Sequence, residues 1–188
     1  VNNTLSNFFK KSKLDVPIWF LRQSGRHIPE YFKLRNQEVN FVDFCLNTEL
    51  VVKSTKLPLK YYDLDAAIVF SDILVIPEAL GQPYHFKEAG GIGFKDRIEG
   101  PADVDKLNGS EISTRLKYVS DALKILRQEL GSEKALLGFG GSPWTLATYM
   151  VEGGSPGNFE RIKSLVHEDR VTFNRLMEIL TNATIDYF

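Results

Sequence analysis

The sequence predicts an α/β protein built on a parallel sheet flanked by helices, and two features of the 188-residue chain carry this prediction. Short apolar runs alternate with segments of helical periodicity along the chain. The run at residues 65–70 places five apolar residues together without polar alternation, which is typical of a strand buried on both faces of a parallel sheet. Parallel strands need long crossover connections, which the intervening helices supply.

Three strands and a series of helices are predicted in order. The strands are residues 16–21, 65–70 and 135–139, and the helical patterns cover residues 29–36, 41–61, 73–80, 112–130, 158–166 and 168–187. An apolar stripe runs along residues 112–130, with Ser110 as its N-cap and Gly131 as its stop. Another helix is predicted to be capped by Ser142 and to begin at Pro143. Residues 81–101 are predicted to form a long loop with a short hairpin-like excursion.

The number of strands bears on the architecture. Three strands alone leave two exposed sheet edges and an uncovered apolar surface. Closed eight-stranded α/β barrels typically take about 250 residues. The sequence therefore favours the first part of a barrel, with a small open sheet as the alternative.

Composition and motifs exclude several classes of protein. The net charge of −1 gives no reason to expect binding to nucleic acid or to an anionic membrane. No apolar run approaches the roughly 18 residues that span a bilayer, and residues 1–14 lack the pattern of a secretory signal. Cys45 is the single cysteine, and His27, His85 and His167 lack metal-ligand spacing. No P-loop, dinucleotide fingerprint or nucleophile elbow is present. We expect an intracellular protein without a metal site.

Polar residues follow each of the three predicted strands. Residues 22–26 come after the first, Asp72 after the second, and residues 140–142 after the third, with Tyr149 two turns into the next helix. Because ligands bind beyond the carboxyl ends of parallel strands, these residues are expected to line one pocket.

Charged side chains follow the first and the second predicted strand, and each could bind a ligand of opposite charge. Arg22 and Arg26 flank Gly25, and guanidinium groups capture carboxylates in a bidentate manner. The alternative is a pair of surface salt bridges. Asp72 could accept several N–H donors or stabilise a developing cation. Its alternative is to cap the helix at residues 73–80.

Ordinary structural roles are also open for the glycines and for Tyr149. Residues 138–141 could cradle an anion on free backbone N–H groups, but a tight turn before the capped helix is the favoured interpretation. Tyr149 could be a half-buried aromatic residue whose hydroxyl lies in water.

Three long strings resemble the uroporphyrinogen decarboxylase family. They are PIWFLRQSGR followed by PEY at residues 17–31, LDAAIVFSDILVIPEALG at 64–81, and GFGGSPWTLATYMVEG at 138–153. The resemblance extends from about residue 9 to the end of the chain. It implies a (β/α)8 TIM barrel, with residues 1–188 as the N-terminal part of a single catalytic domain. It also implies a cytoplasmic homodimer that needs no metal or organic cofactor. The implied reaction converts the four acetate side chains of uroporphyrinogen III to methyls, giving coproporphyrinogen III for haem biosynthesis.

The same resemblance assigns roles to the residues after the strands. Arg22 and Arg26 would bind substrate carboxylates, and Asp72 would accept hydrogen bonds from pyrrole N–H groups over the macrocycle centre. The catalytic set implied in this way is Asp72, Arg22 and Tyr149. The substrate-binding set is Arg22, Gln23, Ser24, Gly25, Arg26, Asp72, Phe139 and Tyr149, in which the backbone of residues 23–25 would shape one wall.

Two positions depart from the family's pattern, and two alternatives remain. His27 stands where the family usually has tyrosine, and Ile92-Gly93 replaces a Gly-Pro pair. The family's C-terminal half also contributes a serine and a histidine to the pocket, and Phe188 precedes both. We therefore expect this chain by itself to lack decarboxylase activity. The alternatives are a non-catalytic tetrapyrrole-binding or assembly fragment and a corrinoid methyltransferase relative of the same barrel family.

Overall fold

A computed structural model describes residues 16–38, 40–87, 90–155 and 157–188. The helices and strands follow in this order: α1 Pro29–Arg35, α2 Phe41–Leu46, α3 Thr48–Lys56, a 3-10 helix Leu57–Lys60, β1 Ala66–Ile68, α4 Val75–Ala79, β2 Tyr84–Phe86, β3 Ile92–Phe94, α5 Pro101–Val104, α6 Ile112–Arg115, α7 Lys117–Leu130, β4 Ala135–Leu137, α8 Pro143–Glu152, α9 Glu160–Glu168 and α10 Arg170–Tyr187. Residues 1–14, predicted to lack a secretory signal, lie outside the described residues.

The chain divides into two compact units. The first contains Val1–Ser71 and Tyr118–Phe139, and the second contains Asp72–Lys117 and Gly140–Phe188. The first unit therefore holds β1 and β4 with α1, α2, α3 and nearly all of α7. The 3-10 helix also lies in the first unit. The second unit holds the hairpin strands β2 and β3 with α4, α5, α6, α8, α9 and α10.

A parallel strand pair forms the centre of the first unit. β1 and β4 pair with Ala66 opposite Ala135 and Ile68 opposite Leu137. This confirms the parallel sheet predicted from residues 65–70 and 135–139, although each strand is shorter than predicted. The unit contains two hydrophobic clusters. The first consists of the buried residues Ile28, Tyr31, Phe44, Leu50 and Leu57, and the rings of Phe41 and Phe70 pack against it. The second cluster consists of Val51, Val52, Val69, Ala122 and Leu126.

The predicted first strand, residues 16–21, is wrong. The segment is extended but forms no ladder, and four of its side chains are more than half exposed, from 55% to 74%. Its backbone meets the β1 segment at one point, where Asp65 donates its N–H to the Ile18 carbonyl at 2.9 Å. The Ile18 N–H donates to the Asp65 carboxylate at 2.7 Å. In a β-ladder this N–H would bind a backbone carbonyl of the neighbouring strand, but here a side chain accepts the bond. The ladder therefore does not continue.

The helix predicted at residues 41–61 is interrupted. α2 ends before Asn47, whose side chain accepts a hydrogen bond from the Leu50 N–H at 3.1 Å and caps α3. Asparagine offers the backbone such local bonds and so favours helix starts over helix interiors. The final turn tightens to a 3-10 helix at Pro58, which has no N–H to donate.

Local signals predicted the second unit well. The hairpin-like excursion is the antiparallel pair β2–β3, in which Tyr84 lies opposite Phe94. The side chain of Ser142 accepts from the Thr145 N–H and caps α8, which begins at Pro143 as predicted. α9 and α10 each begin two residues later than predicted. The stripe of α10 is buried at Leu176, Leu180 and Ala183.

The helix predicted at residues 112–130 is divided into α6 and α7 at Leu116. Its stripe faces two cores, because Ile112 is buried in the second unit and Leu126 in the first. The Ser110 cap is wrong. Its N–H and hydroxyl bind the Asn108 side chain, and α6 begins without a side-chain cap. Gly131, with φ of 57°, ends α7 as predicted.

Of the helices in the described ranges, none combines the length and the apolar character that a bilayer crossing requires.

Candidate substrate-binding site

The loop at residues 22–26 is a turn with one buried side chain. The Ile28 N–H donates to the Gly25 carbonyl at 3.0 Å and closes the turn. A Cβ at Gly25 would lie 3.7 Å from His27 Nδ1, an ordinary contact, so this conformation does not depend on glycine. The Ser24 hydroxyl is buried and has no hydrogen-bond partner among the described residues.

The amide of Gln23 is bonded to the first strand of the sheet. Its Nε2 donates to the Ala66 carbonyl at 2.8 Å, and its Oε1 accepts from the Ile68 N–H at 3.2 Å. Sequence reasoning placed Gln23 among the substrate-binding residues. The structure directs its side chain to β1, so only its backbone is left to shape a substrate wall.

Both arginines of the loop are exposed. In the part of the chain that the structure describes, neither Arg22 nor Arg26 forms an ion pair with a carboxylate. Burial raises the pKa of the Tyr31 hydroxyl, and the positive charges of Arg35, Arg26 and Arg22 oppose that rise. Both loop arginines therefore contribute positive potential at the Tyr31 hydroxyl. The salt-bridge alternative finds no support.

Phe139 follows β4 in the same unit. Its half-buried ring packs against the core cluster formed by Val51, Val69 and Leu126. One part of the Phe139 ring is therefore fixed by the core. The rest is accessible, as expected for a residue that lines a binding pocket.

Asp72 begins the second unit and lies just before α4. Its Oδ1 accepts from the Leu74 N–H at 2.8 Å, which is a local turn bond. The capping alternative is wrong, because α4 begins at Val75 without a side-chain cap. Burial raises the pKa of the Asp72 carboxyl, and this hydrogen bond partly opposes the rise. A half-buried carboxyl of perturbed pKa at the end of a strand is also what a functional group looks like. The local turn bond and the functional interpretation are compatible at this residue.

Tyr149 and the glycine segment are packed into the second unit. Tyr149 is half-buried on α8, and its carbonyl accepts from the N–H groups of Gly153 and Gly154 at the helix end. A Cβ at Gly141 would lie 2.7 Å from Leu146 Cδ2, so close packing requires glycine there. This favours the tight-turn interpretation over an anion cradle.

The structure thus brings residues 22–26 and Phe139 together in one unit and places Asp72 and Tyr149 in the other. Sequence reasoning missed the hydrogen bonds from the Gln23 side chain to β1, because a side chain that binds a strand edge leaves no periodic pattern in the sequence. Within the described ranges, no three His, Cys, Asp or Glu side chains are grouped so that they could hold a metal ion.

A cavity of about 820 Å³ lies in the second unit away from every predicted site residue. Several of its charged residues are bonded within the protein. Arg97 pairs with Glu99, Glu152 accepts from the Ile162 N–H, and Asp169 caps α10. We assign no ligand to this cavity.

Comparison with solved structures identifies the class of fold. A methyltransferase from Methanosarcina mazei superposes with a TM-score of 0.73 over 97% of this chain and 52% of its own, at 20% sequence identity. At that identity the likeness shows the fold and not the activity. With the family match below, it confirms the fold class predicted from sequence, an α/β chain forming the first part of a (β/α)8 barrel.

Sequence comparison identifies the family. The model of the uroporphyrinogen decarboxylase (URO-D) family matches residues 1–188, and the chain belongs to that family. The chain is 44% identical to the uroporphyrinogen decarboxylase of Idiomarina loihiensis over 92% of its length, and 43% identical to that of Thioalkalivibrio sulfidiphilus over 99%. These matches cover 48% and 53% of the two relatives, so the chain spans about half their length.

Proposed function

We propose that this chain is the N-terminal part of the catalytic barrel of a uroporphyrinogen decarboxylase. The complete protein would convert the four acetate side chains of uroporphyrinogen III to methyls and release coproporphyrinogen III. The family match over residues 1–188 is the observation that carries the proposal. The complete protein is proposed to act as a cytoplasmic homodimer, with no metal or organic cofactor.

Arg22 and Arg26 are proposed to bind substrate carboxylates. Uroporphyrinogen carries eight carboxylates around four pyrroles. The two guanidinium groups are exposed and have no carboxylate partner among the described residues, so they are available to such a ligand. The backbone of residues 23–25 would form the adjacent wall. Phe139 and Tyr149 would contact the macrocycle through their ring faces.

Asp72 is proposed to stabilise the charge that decarboxylation creates. Loss of CO2 from an acetate leaves an electron pair that needs an acceptor. Protonation of the pyrrole at the ring carbon next to the acetate provides that acceptor, and the ring becomes cationic. The C–CO2 bond then breaks, and its electrons neutralise the ring by forming an exocyclic methylene group. A proton added to that methylene carbon forms the methyl, and loss of the proton first added to the ring carbon restores the pyrrole. An ionised carboxylate in a poorly solvated position stabilises such a cation strongly.

The burial that raises the pKa of Asp72 fits this role. Its carboxylate is partly withdrawn from solvent, so its interaction with pyrrole N–H donors of the substrate would be weakly screened. Arg22 is assigned to carboxylate positioning rather than to proton delivery, because a guanidinium group gives up its proton only at very high pH.

The chain itself provides the first test. We expect the 188-residue chain alone to form no coproporphyrinogen from uroporphyrinogen. Joined to the C-terminal half of the Idiomarina loihiensis relative, it should do so, as measured by chromatography of the oxidised products. Turnover by the chain alone would contradict its assignment as one part of the barrel. Tetrapyrrole binding without turnover in either form would favour the non-catalytic alternative.

Asp72→Asn is the decisive variant in that joined protein. The change removes the charge and keeps the shape, so turnover should fall by at least about 100-fold. Asp186→Asn, an exposed change on α10, is the matched control and should leave turnover unchanged. Normal turnover of Asp72→Asn would remove Asp72 from the mechanism.

A further inference from the structure

Gln23 is a buried polar side chain within a loop of exposed arginines. It is 7% exposed, whereas Arg22 and Arg26 on either side are exposed. Burying an amide without hydrogen bonds costs free energy. Gln23 avoids that cost because its Nε2 donates to the Ala66 carbonyl and its Oε1 accepts from the Ile68 N–H. Both ends of the amide are therefore committed to β1.

The two groups that Gln23 binds are those that a neighbouring parallel strand would bind. β4 occupies the other edge of β1, where the Val69 N–H donates to β4 at 3.0 Å. Backbone groups of successive strand residues point to opposite edges, so the Ala66 carbonyl and the Ile68 N–H belong to the edge that β4 leaves free. A strand residue opposite Ala67 would bind both groups through its own N–H and carbonyl. The side-chain amide of Gln23 takes the place of that residue.

This bond fixes the start of the arginine loop to a rigid element. Arg22 precedes Gln23 directly, and Arg26 follows within the turn closed by the Ile28 N–H. An arginine side chain loses rotamer entropy when it binds a carboxylate, and this loss opposes binding. A backbone already held in place adds no further ordering cost, and sites supported in this way bind more tightly.

We propose that Gln23 is a positioning residue for the arginine pair. Its amide acts as a substitute strand residue on the free edge of β1 and holds Arg22 and Arg26 where they meet substrate carboxylates. The role is exerted through the arginines and requires no contact between the Gln23 side chain and the substrate. This inference rests on the proposed function.

The test measures binding of uroporphyrin I, by tetrapyrrole fluorescence, to the chain joined to the C-terminal half of the Idiomarina loihiensis relative. Gln23→Glu keeps the shape and the acceptor but turns an oxygen toward the Ala66 carbonyl, and Gln23→Met removes both bonds without adding charge. Gln128→Glu, an exposed change on α7, controls for the added negative charge. Each variant is made in this joined protein with both arginines and in an Arg22→Gln/Arg26→Gln background, and urea unfolding is followed for each.

We expect Gln23→Glu and Gln23→Met to raise the Kd about tenfold in the joined protein with both arginines and less than about twofold without the arginines, because residues that act through each other are not additive. Gln128→Glu should leave the Kd unchanged. Equal effects in both backgrounds, or no effect in either, would overturn the positioning role. A joined protein that does not bind uroporphyrin I, or whose Kd is unchanged when the arginines are removed, would instead overturn the arginine role in the proposed function.

Discussion

Asp72 combines a local structural bond with an environment suited to chemistry. Its position after a buried strand is readable from the sequence. Its pKa is not, because burial depends on residues far away in the chain. The structure shows a half-buried carboxyl whose pKa is raised by burial while the Leu74 N–H partly opposes the rise. An ionised Asp72 therefore costs stability in the folded chain.

Asp72→Asn should make the chain more stable near neutral pH. Because the folded pKa lies above the unfolded one, the contribution of Asp72 to stability is full below the unfolded pKa and is lost as the pH rises through the folded pKa. Asparagine does not ionise and can still accept from the Leu74 N–H. We expect its gain in unfolding free energy over the native chain to be larger at about pH 7 than at about pH 4, in urea titrations.

Asp186→Asn is the control for that measurement, since its side chain is exposed. A gain that does not depend on pH, or a loss of stability at neutral pH, would show that burial does not raise the pKa of Asp72. This stability measurement is independent of catalysis and can be made on the 188-residue chain.

Most elements with local signals formed where the sequence placed them, whereas the predicted first strand found no ladder partner. Ser142 with Pro143 starts α8, and Gly131 ends α7. Ser110 failed as a cap because Asn108, two residues away, bonds its N–H and hydroxyl. Residues 16–21 have strand composition, but composition alone supplies no hydrogen-bonding neighbour.

The hairpin β2–β3 is held to the end of α8 by a close backbone approach. Gly154 has φ of 156°, and a Cβ there would lie 2.3 Å from the Ile92 carbonyl oxygen. The Phe94 N–H donates to the Gly153 carbonyl at 3.1 Å across the same junction. Backbone cannot yield as a flexible side chain can, so no larger residue fits at position 154.

Gly154→Ala should therefore destabilise the second unit by about 3 kcal/mol, from backbone strain and the clash with Ile92. Gly157→Ala is the matched control, because a Cβ at Gly157 meets nothing within 4 Å. Urea unfolding compares the two variants, and amide exchange at Phe94 reports whether the hairpin has separated. Equal stability of the two variants would show that the junction tolerates a side chain.

At the scale of the whole molecule, the chain forms two compact units and leaves a long apolar segment in contact with solvent. Val16, Ile18, Phe20 and Leu21 are exposed together in the first unit. Contiguous exposed apolar surface of this kind is a site of association.

The 188-residue chain should associate in solution, through pairing or swapping of this segment. Light scattering should give a mean mass above the 21.3 kDa of one chain. Phe20→Lys with Leu21→Lys should shift the mass toward the monomer, because charge on an exposed segment opposes association. Val171→Lys with Ile185→Lys, exposed changes on α10, should have little effect. A monodisperse native monomer would count against the assignment of the chain as part of a barrel.

The sequence by itself determined the α/β class, the parallel pairing of the strands at residues 65–70 and 135–139, and the caps and turns that act within a few residues. It also determined the family, through long strings of unusual composition. Only the tertiary structure showed that Gln23 binds β1, that Asp72 is poorly solvated and that residues 16–21 form no strand. Each of these depends on which distant backbone groups find partners and which surfaces lose water, and such pairings leave no periodicity in the chain.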